Sequence, residues 1–552
     1  MGNKQNDQQT LSPEAWVAHL QSQVNSSQES SPLFDSEQSV EGDKQMSGKQ
    51  DVSMSGDQTT PFSWALSDLC QSVDGECIGA LGAEDPVCFT SISTDTRTLK
   101  AGALYIAIKG ENFDGHKFIK QAIQQGAVAV LVSELSVTDC LIVPGVLVED
   151  TRIAFGLFAK WHRLQMPLKK LIGVTGSNGK TTTKSLLLEI FQHVGKTLAT
   201  EGNLNNDFGL PRTLLNLRPE HEFAIIEMGA NHPQEIAYLT HLALPDIALI
   251  NNASGAHLEG FGSLQGVIET KGEIFQGLNQ RNDPSSKTHQ GVAVVNCDSP
   301  GYRDWLEICA NLDIKKVVSF GACQQADVRV DDFKVTDSGI CFGLSLNATI
   351  EPSSHAQQKT VEMAVLGQHN ALNAAACVAV ALSAGLTWSQ IQPGLVGFSG
   401  VPGRLQKQAI TTGWLIDDSY NANPASVKAG IDALTSLPGL SILCLGAMAE
   451  LGETALAAHQ EIALYAKQKG VDFLLSYGQF TQQMSTVFGE QGRYFENHAA
   501  LADAVRQILQ QHVLSHQRAN VLVKGSRSAH MEHVTHALMA DFSKSTNTVI
   551  DA

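Results

Sequence analysis

The stretch Leu171–Thr183, with the sequence LIGVTGSNGKTTT, decides the fold class of this chain. A short apolar run enters a glycine-rich loop, and Lys180 and Thr181 then open a helical pattern. This order is typical of a phosphate-binding loop, because the loop N–H groups and the helix dipole both favour bound phosphate. In such a loop the lysine reaches the β- and γ-phosphates, and the threonine hydroxyl can hold Mg²⁺. The sequence therefore predicts a nucleoside triphosphate site.

The loop departs from the most common phosphate-loop pattern, which places a glycine five residues before Gly179. That position holds Val174, and the nearest glycines are Gly173 and Gly176. The alternative is a glycine-rich turn without a ligand, but Gly-Lys-Thr between a strand and a helix argues against it. The residues predicted to bind the nucleotide here are Gly176, Ser177, Asn178, Gly179, Lys180, Thr181 and Thr182.

Composition excludes several broad classes of protein. The chain has 552 residues, 43% of them hydrophobic and 17% charged, which favours a globular protein of two to four domains. A formal net charge of -18 argues against a general nucleic-acid binder. The ten cysteines show no zinc-site spacing, so we expect reduced, mostly buried thiols and a cytoplasmic location. No apolar run is long enough to insert into a membrane.

Strand-like and helix-like segments alternate along most of the chain, which predicts an α/β fold. We expect a disordered polar extension at 1–60, either a partner-binding tail or a passive extension. A smaller N-terminal α/β domain should follow at 61–149. A central phosphate-loop domain with a doubly wound, mostly parallel sheet is expected at 150–401, and a C-terminal Rossmann-like α/β domain at 402–552.

Two strand ends after the phosphate loop carry candidate metal ligands. Glu227 ends the apolar run 223–227, and His257 follows the next strand. A carboxylate at the carboxyl end of a neighbouring strand is suited to Mg²⁺, although a polar strand cap is the alternative. A single histidine is more often structural than a ligand. Lys271 lies on a helical segment, and the residues alone favour a surface lysine.

Polar residues also mark the later part of the chain. Asn370 and Asn373 either contact a base edge or cap a helix. Arg404 has the planar fork that suits phosphate or carboxylate, and Asp418 could hydrogen-bond a ribose hydroxyl. Together with Lys524, these residues predict a polar site at the strand ends of the C-terminal domain.

Longer strings give the chain a family likeness. The segments 201–207 (EGNLNND), 256–263 (AHLEGFGS), 417–423 (DDSYNAN) and 524–532 (KGSRSAHME) resemble those of the Mur ligases and folylpolyglutamate synthases, which are ATP-dependent amide-forming enzymes. The likeness extends from about Phe62 to the C-terminus. It implies three domains, which hold a UDP-sugar, ATP with Mg²⁺, and the incoming amine.

The resemblance also implies an activity. ATP would phosphorylate the terminal carboxylate of UDP-N-acetylmuramoyl-tripeptide, and D-alanyl-D-alanine would attack the acyl phosphate, in cytoplasmic peptidoglycan precursor synthesis. The enzyme would act as a monomer. The alternatives are a sister ligase or folylpolyglutamate synthase-like ligase with another acceptor, and a non-catalytic nucleotide-binding protein.

Site residues carried over by the resemblance fall into four groups. Lys180, Lys271, His257 and Glu227 would be catalytic, with Lys271 carbamylated. Thr181, Glu227 and His257 would surround the metal. Asn370 and Asn373 would approach adenine, Arg404 the phosphates and Asp418 the ribose. Substrate contacts would come from Ser93, Asp95, Arg97, Asn112, Asp114, His116, Asn205, Asn206, Lys524, Ser526 and Arg527. The chain departs from the family in 446–452 (GAMAELG), where Ala447 replaces the usual aspartate.

Overall fold

The computed structural model describes residues 62–79, 86–110, 113–134, 141–255, 258–278, 291–347, 357–411, 413–513 and 518–547. The chain divides into two compact units, residues 1–155 and 156–552. The predicted extension at 1–60 and the predicted site residues Asn112 and His257 lie outside the described residues.

The described part of the first unit contains a five-stranded sheet of order β2-β7-β6-β5-β4 and a two-stranded pair, β1-β3. The strands are β1 (Trp64–Ala65), β2 (Glu76–Ile78), β3 (Cys88–Phe89), β4 (Ser91–Ser93), β5 (Ala103–Ile106), β6 (Ala127–Val132) and β7 (Gly145–Leu147). The helices are α1 (Leu66–Ser72), α2 (Ile119–Gln124) and α3 (Thr151–Gln165), and α3 continues into the second unit. Strands β4 to β7 are parallel, and only β2 pairs antiparallel at the edge of this sheet.

The second unit begins with a nine-stranded sheet of order β16-β15-β14-β13-β12-β11-β8-β10-β9 among its described residues. Its strands are β8 (Lys170–Thr175), β9 (Thr197–Ala199), β10 (Phe223–Glu227), β11 (Ile247–Ile250), β12 (Val292–Asn296), β13 (Lys316–Gly321), β14 (Val328–Val335), β15 (Ile340–Leu346) and β16 (Gln357–Met363). Strands β8 to β14 are parallel, so the predicted mostly parallel sheet is confirmed. The antiparallel strands β15 and β16 were not predicted, because Gly343 and Ser345 interrupt the apolar residues of β15 and four polar residues begin β16.

Helices follow strands β8 to β12 of this sheet, and two more follow β16. They are α4 (Lys180–Gln192), α5 (Gly209–Leu215), α6 (Glu235–Ala243), α7 (Leu258–Phe261), α8 (Leu264–Gly272), α9 (Tyr302–Asn311), α10 (Gln368–Ser383) and α11 (Trp388–Gly397). Helices α4, α10 and α11 share one apolar core with the sheet. The alanine-rich run 374–381 in α10 is completely buried, since small side chains let the helix approach closely.

A second sheet in this unit has the order β17-β18-β22-β19-β20-β21 as far as the structure describes it. Its strands are β17 (Gln406–Ile410), β18 (Gly413–Asp418), β19 (Leu440–Gly446), β20 (Phe473–Tyr477), β21 (Gly492–Phe495) and β22 (Ala519–Lys524). The helices are α12 (Pro424–Thr435), α13 (Ala455–Gln468), α14 (Thr481–Phe488), α15 (His498–Val513) and α16 (Glu532–Asn547). Only β17 is antiparallel, and separate apolar clusters cover the two faces, as expected for a Rossmann-like sheet.

Two cysteine pairs are bonded, Cys70–Cys77 in the first unit and Cys297–Cys323 in the second. The expectation of reduced thiols is therefore wrong for these four residues. Neither spacing has a sequence signature, because the fold brings the cysteines of each pair together. The expectation of mostly buried cysteines is wrong as well, since Cys77 and Cys88 are exposed and only Cys309, Cys377 and Cys444 are free and buried among the described residues. No described helix is both long and apolar enough to cross a membrane.

Candidate active site

The phosphate loop joins β8 to α4 at the carboxyl edge of the central sheet. Gly176 and Gly179 have φ of 151° and 78°, values that favour glycine. A Cβ on Gly179 would lie 2.5 Å from Asn251 Nδ2 and 2.8 Å from Asn373 Oδ1. The loop is therefore packed closely on the residues beneath it, and a side chain at Gly179 would not fit.

A second segment, residues 251–254 after β11, supports the phosphate loop through hydrogen bonds. Ser177 N donates to Asn252 O at 2.9 Å, and Asn178 N donates to Asn252 Oδ1 at 2.9 Å. Ser254 N donates to Ser177 Oγ at 3.0 Å. The strand neighbouring β8 thus fixes the conformation of the loop.

Lys180 and Thr181 begin helix α4, as predicted for a phosphate loop. Lys180 Nζ donates to Gly176 O at 2.7 Å, and burial lowers the pKa of this lysine. Thr181 Oγ1 donates to Glu227 Oε1 over 3.4 Å. Thr182 is buried in the first turn of the helix. The hydroxyl and the carboxylate predicted as metal ligands therefore lie side by side.

Glu227 is the most buried acid of this site, with 2% of its surface exposed. Asn205 Nδ2 donates to Glu227 Oε1 at 2.8 Å. Glu227 Oε2 is buried and accepts no hydrogen bond from any described residue. Asn206 is placed differently, since its Oδ1 accepts from Gly209 N at 2.8 Å at the start of α5.

Lys184 is a charged residue of this site that the sequence reasoning missed. It is buried, its Nζ donates to Thr200 O at 2.7 Å, and it lies 3.8 Å from Glu227 Oε2. Burial lowers the pKa of Lys184, and the charge of Glu227 opposes this shift. Its spacing of four residues from Lys180 on one helix face was the available signal.

Lys271 on α8 is not the surface lysine that the residues alone favoured, since only 2% of it is exposed. Its Nζ lies 5.1 Å from the centre of the Phe261 ring. Burial, assisted by the charge of Lys180, lowers the pKa of Lys271 to about 7. A large part of this side chain is therefore a neutral amine near neutral pH.

Asn370 and Asn373 are buried at the start of α10 and form a chain of amide hydrogen bonds. Asn251 Nδ2 donates to Asn373 Oδ1 at 2.9 Å, and Asn373 Nδ2 donates to Asn370 Oδ1 at 3.0 Å. Asn370 Nδ2 donates to Leu366 O at 2.8 Å. The structure thus places both asparagines in the support of the phosphate loop.

The residues around the second sheet of this unit reach the phosphate loop at two points. Arg404 NH2 donates to Thr181 Oγ1 at 3.1 Å, and its guanidinium lies 4.2 Å from the centre of the Tyr420 ring. Asn423 Nδ2, at the start of α12, donates to Asn178 Oδ1 at 2.8 Å. Asn423 belongs to one of the diagnostic strings, but no role was predicted for it.

Asp418 and Lys524, at the ends of β18 and β22, form a buried ion pair of 2.6 Å. Ser526 Oγ donates to Ala447 O at 2.7 Å, which ties the 524–527 turn to the segment after β19. Arg527 is exposed and donates to Glu532 Oε1 at 2.9 Å. Lys524 is therefore engaged with the residue predicted for ribose, whereas the Arg527 side chain points to Glu532.

The predicted substrate residues of the first unit stabilise two turns. Asp95 accepts hydrogen bonds from the backbone and side chain of Arg97, which lowers the pKa of Asp95. Ser93 Oγ donates to Asp95 O at 2.8 Å. Asp114 Oδ1 lies 2.8 Å from His116 Nδ1, and Ser133 N donates to His116 Nε2 at 3.0 Å.

Three domain families match the chain in order. They are described as Mur ligase family, catalytic domain (residues 89–158), Mur ligase middle domain (174–381), and Mur ligase, glutamate ligase domain (403–527). The UDP-N-acetylmuramoyl-tripeptide–D-alanyl-D-alanine ligase of Escherichia coli is 40% identical over 86% of this chain and 98% of that protein.

The chain belongs to the Mur ligase family. The crystal structure of MurF from Acinetobacter baumannii is similar, with a TM-score of 0.77, 30% identity, and coverage of 87% of this chain and 100% of that one. A MurF ligase from Thermotoga maritima in complex with ADP has a TM-score of 0.69 and 26% identity, and covers 82% of this chain and 98% of that one. The family resemblance and the three-domain α/β fold are thereby confirmed.

For this Mur ligase, the structure assembles one continuous cluster at the phosphate loop from the predicted site residues. Hydrogen bonds connect Thr181 to Glu227 and Arg404, and Glu227 to Asn205. Asp418 and Lys524 form a separate pair, and Lys524 Nζ also donates to Asn421 O at 3.0 Å. The remaining assignments to substrate, metal and base stay predictions.

Proposed function

We propose that this Mur ligase uses ATP to join D-alanyl-D-alanine to the terminal carboxylate of UDP-N-acetylmuramoyl-tripeptide in the cytoplasm. The curated relatives that match nearly their whole length carry this activity in their names. The observation that carries the proposal is the bond from Arg404 to Thr181, which brings a third-domain cation to the phosphate loop.

The domain roles follow from the same proposal. Residues 61–149 would bind the UDP-sugar through Ser93, Asp95, Arg97, Asn112, Asp114 and His116. Residues 150–401 would bind ATP, and residues 402–552 would present the dipeptide. The likeness to an ADP complex supports nucleotide binding by the central domain.

Phosphoryl transfer to a carboxylate depends on positioning and on neutralising the charge of the transferred group. Lys180 and Arg404 are the cations next to Thr181, so they would stabilise the phosphates. Lys184 would hold Glu227 in place, because its ammonium lies 3.8 Å from Glu227 Oε2. The product of this step is an acyl phosphate and ADP.

The residues present fit a magnesium ion. Thr181 Oγ1 and Glu227 supply the hard oxygen ligands that Mg²⁺ prefers. Glu227 Oε2 is buried and accepts no hydrogen bond from the described residues, and Lys184 Nζ lies 3.8 Å from it. Thr181 and Glu227 would hold the ion, with His257 as a further candidate. When bound, Mg²⁺ neutralises phosphate charge. The protein fixes the two ligands by hydrogen bonds: Arg404 donates to the Thr181 hydroxyl, and Asn205 donates to the Glu227 carboxylate.

Lys271 would act as a carbamate. The neutral amine adds to CO₂ and releases one proton to solvent, and the resulting carbamate anion would orient a cation of the site. Burial favours this chemistry, since a pKa of about 7 leaves the nucleophilic amine populated at neutral pH.

The second step is attack of the D-alanyl-D-alanine amine on the acyl phosphate, which passes through a tetrahedral intermediate and releases phosphate. Lys524, Ser526 and Arg527 are proposed near the dipeptide. Asp418 would contact the ribose. Asn370 and Asn373 would approach adenine.

The test is phosphate release by the purified chain with ATP, UDP-N-acetylmuramoyl-tripeptide and D-alanyl-D-alanine. We expect release only when all three are present. Replacing the dipeptide by a single amino acid or by glutamate separates this activity from that of a sister ligase. No release with any acceptor would contradict the proposal.

Ala447 raises one competing possibility, a nucleotide-binding protein with weakened catalysis. Its carbonyl accepts from both the backbone N and Oγ of Ser526, so the segment is well fixed without an aspartate. We expect the natural chain to be active, and Ala447→Asp to change kcat less than tenfold. A much larger gain in this variant would favour the weakened protein.

A further inference from the structure

Cys297 and Cys323 lie at the carboxyl ends of the neighbouring parallel strands β12 and β13, at the same sheet edge as the phosphate loop. Their Cα atoms are 6.5 Å apart and their sulfurs are bonded. Cys323 is only partly buried and the neighbouring Asp298 is exposed, so small thiols and disulfides can reach the pair from the Cys323 side. In contrast, Cys309 and Cys377 are buried, and burial raises the pKa of both thiols.

The turn that carries Cys323 is built around the Cys297 segment. Asp298 accepts hydrogen bonds from Ala322 N at 2.6 Å and Cys323 N at 3.0 Å, one on each carboxylate oxygen. A Cβ on Gly321 would lie 2.6 Å from Cys297 Sγ. Asp298 and the two sulfurs are also close enough for a metal ion. However, both carboxylate oxygens of Asp298 already accept hydrogen bonds from backbone N–H groups, which favours a thiol pair over a metal site.

The Cys297 segment is connected to the support of the phosphate loop on both sides. Asn296, the preceding residue, donates from Nδ2 to Asn251 O at 2.9 Å. Ser299, two residues further on, accepts at Oγ from Ala253 N at 3.0 Å. Segment 251–254 in turn holds the loop that carries Ser177 and Asn178. Two short hydrogen-bonded connections therefore link the cysteine pair to the nucleotide site.

We propose that Cys297 and Cys323 are a reversible dithiol–disulfide pair whose redox state sets the affinity of the phosphate loop for nucleotide. Unbonded sulfurs must move apart, so reduction displaces the Cys297 turn and loosens Asn296 and Ser299. The bonded form holds both residues against 251–254 and binds nucleotide more tightly. The inference rests on the nucleotide binding proposed above, but not on the identity of the acceptor.

Oxidation needs a low-molecular-weight disulfide such as oxidised glutathione. One cysteine thiolate attacks it, which forms a mixed disulfide and releases one glutathione thiolate. The second cysteine thiolate then attacks the mixed disulfide, which forms the Cys297–Cys323 bond and releases the second glutathione. The two protons lost by the cysteines are taken up by the two glutathione thiolates, and the cysteine pair loses two electrons.

The experiment equilibrates the full chain in glutathione buffers of different ratio. Differential alkylation and mass spectrometry give the fraction of the Cys297–Cys323 disulfide, and calorimetry gives the Kd for ADP. We expect the oxidised form to bind ADP about three- to tenfold more tightly, which is about 0.7 to 1.4 kcal/mol. The difference should vanish in C297S/C323S. The matched control C70S/C77S removes the cysteine pair of the first unit. It should still show the difference in Kd for ADP between the oxidised and reduced forms.

Three results would overturn the inference. The first is alkylation of both cysteines at every glutathione ratio. The second is a disulfide that forms and breaks without changing the Kd for ADP. The third is one equivalent of zinc retained by the reduced chain at Cys297 and Cys323. If the chain bound no ADP in either state, the proposed function would fail instead.

Discussion

Replacing Gly179 by alanine should damage the phosphate loop far more than backbone strain alone. At φ of 78° an alanine costs about 1–2 kcal/mol. Its Cβ would also lie 2.5 Å from Asn251 Nδ2 and 2.8 Å from Asn373 Oδ1, so these amides must move. Asn251 Nδ2 donates to Asn178 O and Asn373 Oδ1, each at 2.9 Å. Losing these two bonds costs about 1–3 kcal/mol each.

Gly385 provides the matched control, since its φ is 90° and no described atom lies within 4 Å of its would-be Cβ. The stability lost in Gly385→Ala should therefore come from backbone strain alone. For a domain of this size, about 1 kcal/mol corresponds to about 2–4 °C in Tm. We expect a loss of about 2–8 °C for Gly385→Ala and at least about 5 °C more for Gly179→Ala. Scanning fluorimetry measures both.

The same pair of variants should differ in nucleotide binding. Gly179→Ala displaces the residues under the loop, so we expect its Kd for ADP to rise at least about tenfold, or about 1.4 kcal/mol. Gly385→Ala should bind ADP as the natural chain does. Equal losses of Tm in the two variants, together with unchanged ADP binding, would refute the packing argument.

Three further predictions concern charged groups. Lys180→Ala should lower tripeptide-dependent ADP formation by about 10²–10³-fold or more, while the Kd for the UDP-sugar stays within twofold, as measured by a coupled assay and calorimetry. The pKa of Lys271 is lowered, so its neutral form grows as the pH rises. Carbamate formation also releases a proton, so at constant CO₂ the ¹³C-carbamate signal in NMR should increase at least about tenfold from pH 6 to 8 and be absent in Lys271→Arg; a signal independent of pH would contradict this. Asp418→Asn or Lys524→Met alone should destabilise by about 3–5 kcal/mol, and the double variant by less, in denaturant titrations; additive losses would exclude a coupled pair.

Sequence was sufficient for the phosphate loop and for the buried parallel strands β8, β10, β11 and β12, because continuous apolar runs that end in polar residues are strong local signals. The parallel strands β9, β13 and β14 of the same sheet were not predicted. Sequence also identified Glu227 next to the loop from strand order alone. It could not show that Lys271 is buried, since helical periodicity does not reveal which face another element covers. Sequence also could not show that Lys184 is buried, because its partners Thr200 and Glu227 lie in the loop before α5 and in β10.

Strands β15 and β16 and the Cys297–Cys323 disulfide could not be predicted from the local sequence. Gly343 and Ser345 interrupt the apolar residues of β15, and β16 begins with four polar residues, so neither segment has a clear strand pattern of its own. Cys297 and Cys323 are 26 residues apart, and only the pairing of β12 with β13 brings them together. Both features depend on contacts between elements rather than on local pattern.

The central claim is that the tripeptide carboxylate is activated as an acyl phosphate, and the fate of its oxygen tests this directly. The substrate is UDP-N-acetylmuramoyl-tripeptide labelled with ¹⁸O in the terminal carboxylate, incubated with ATP, Mg²⁺ and D-alanyl-D-alanine. Mass spectrometry of the released phosphate should show one ¹⁸O for each amide bond formed. Unlabelled phosphate, or label found in AMP, would contradict the mechanism.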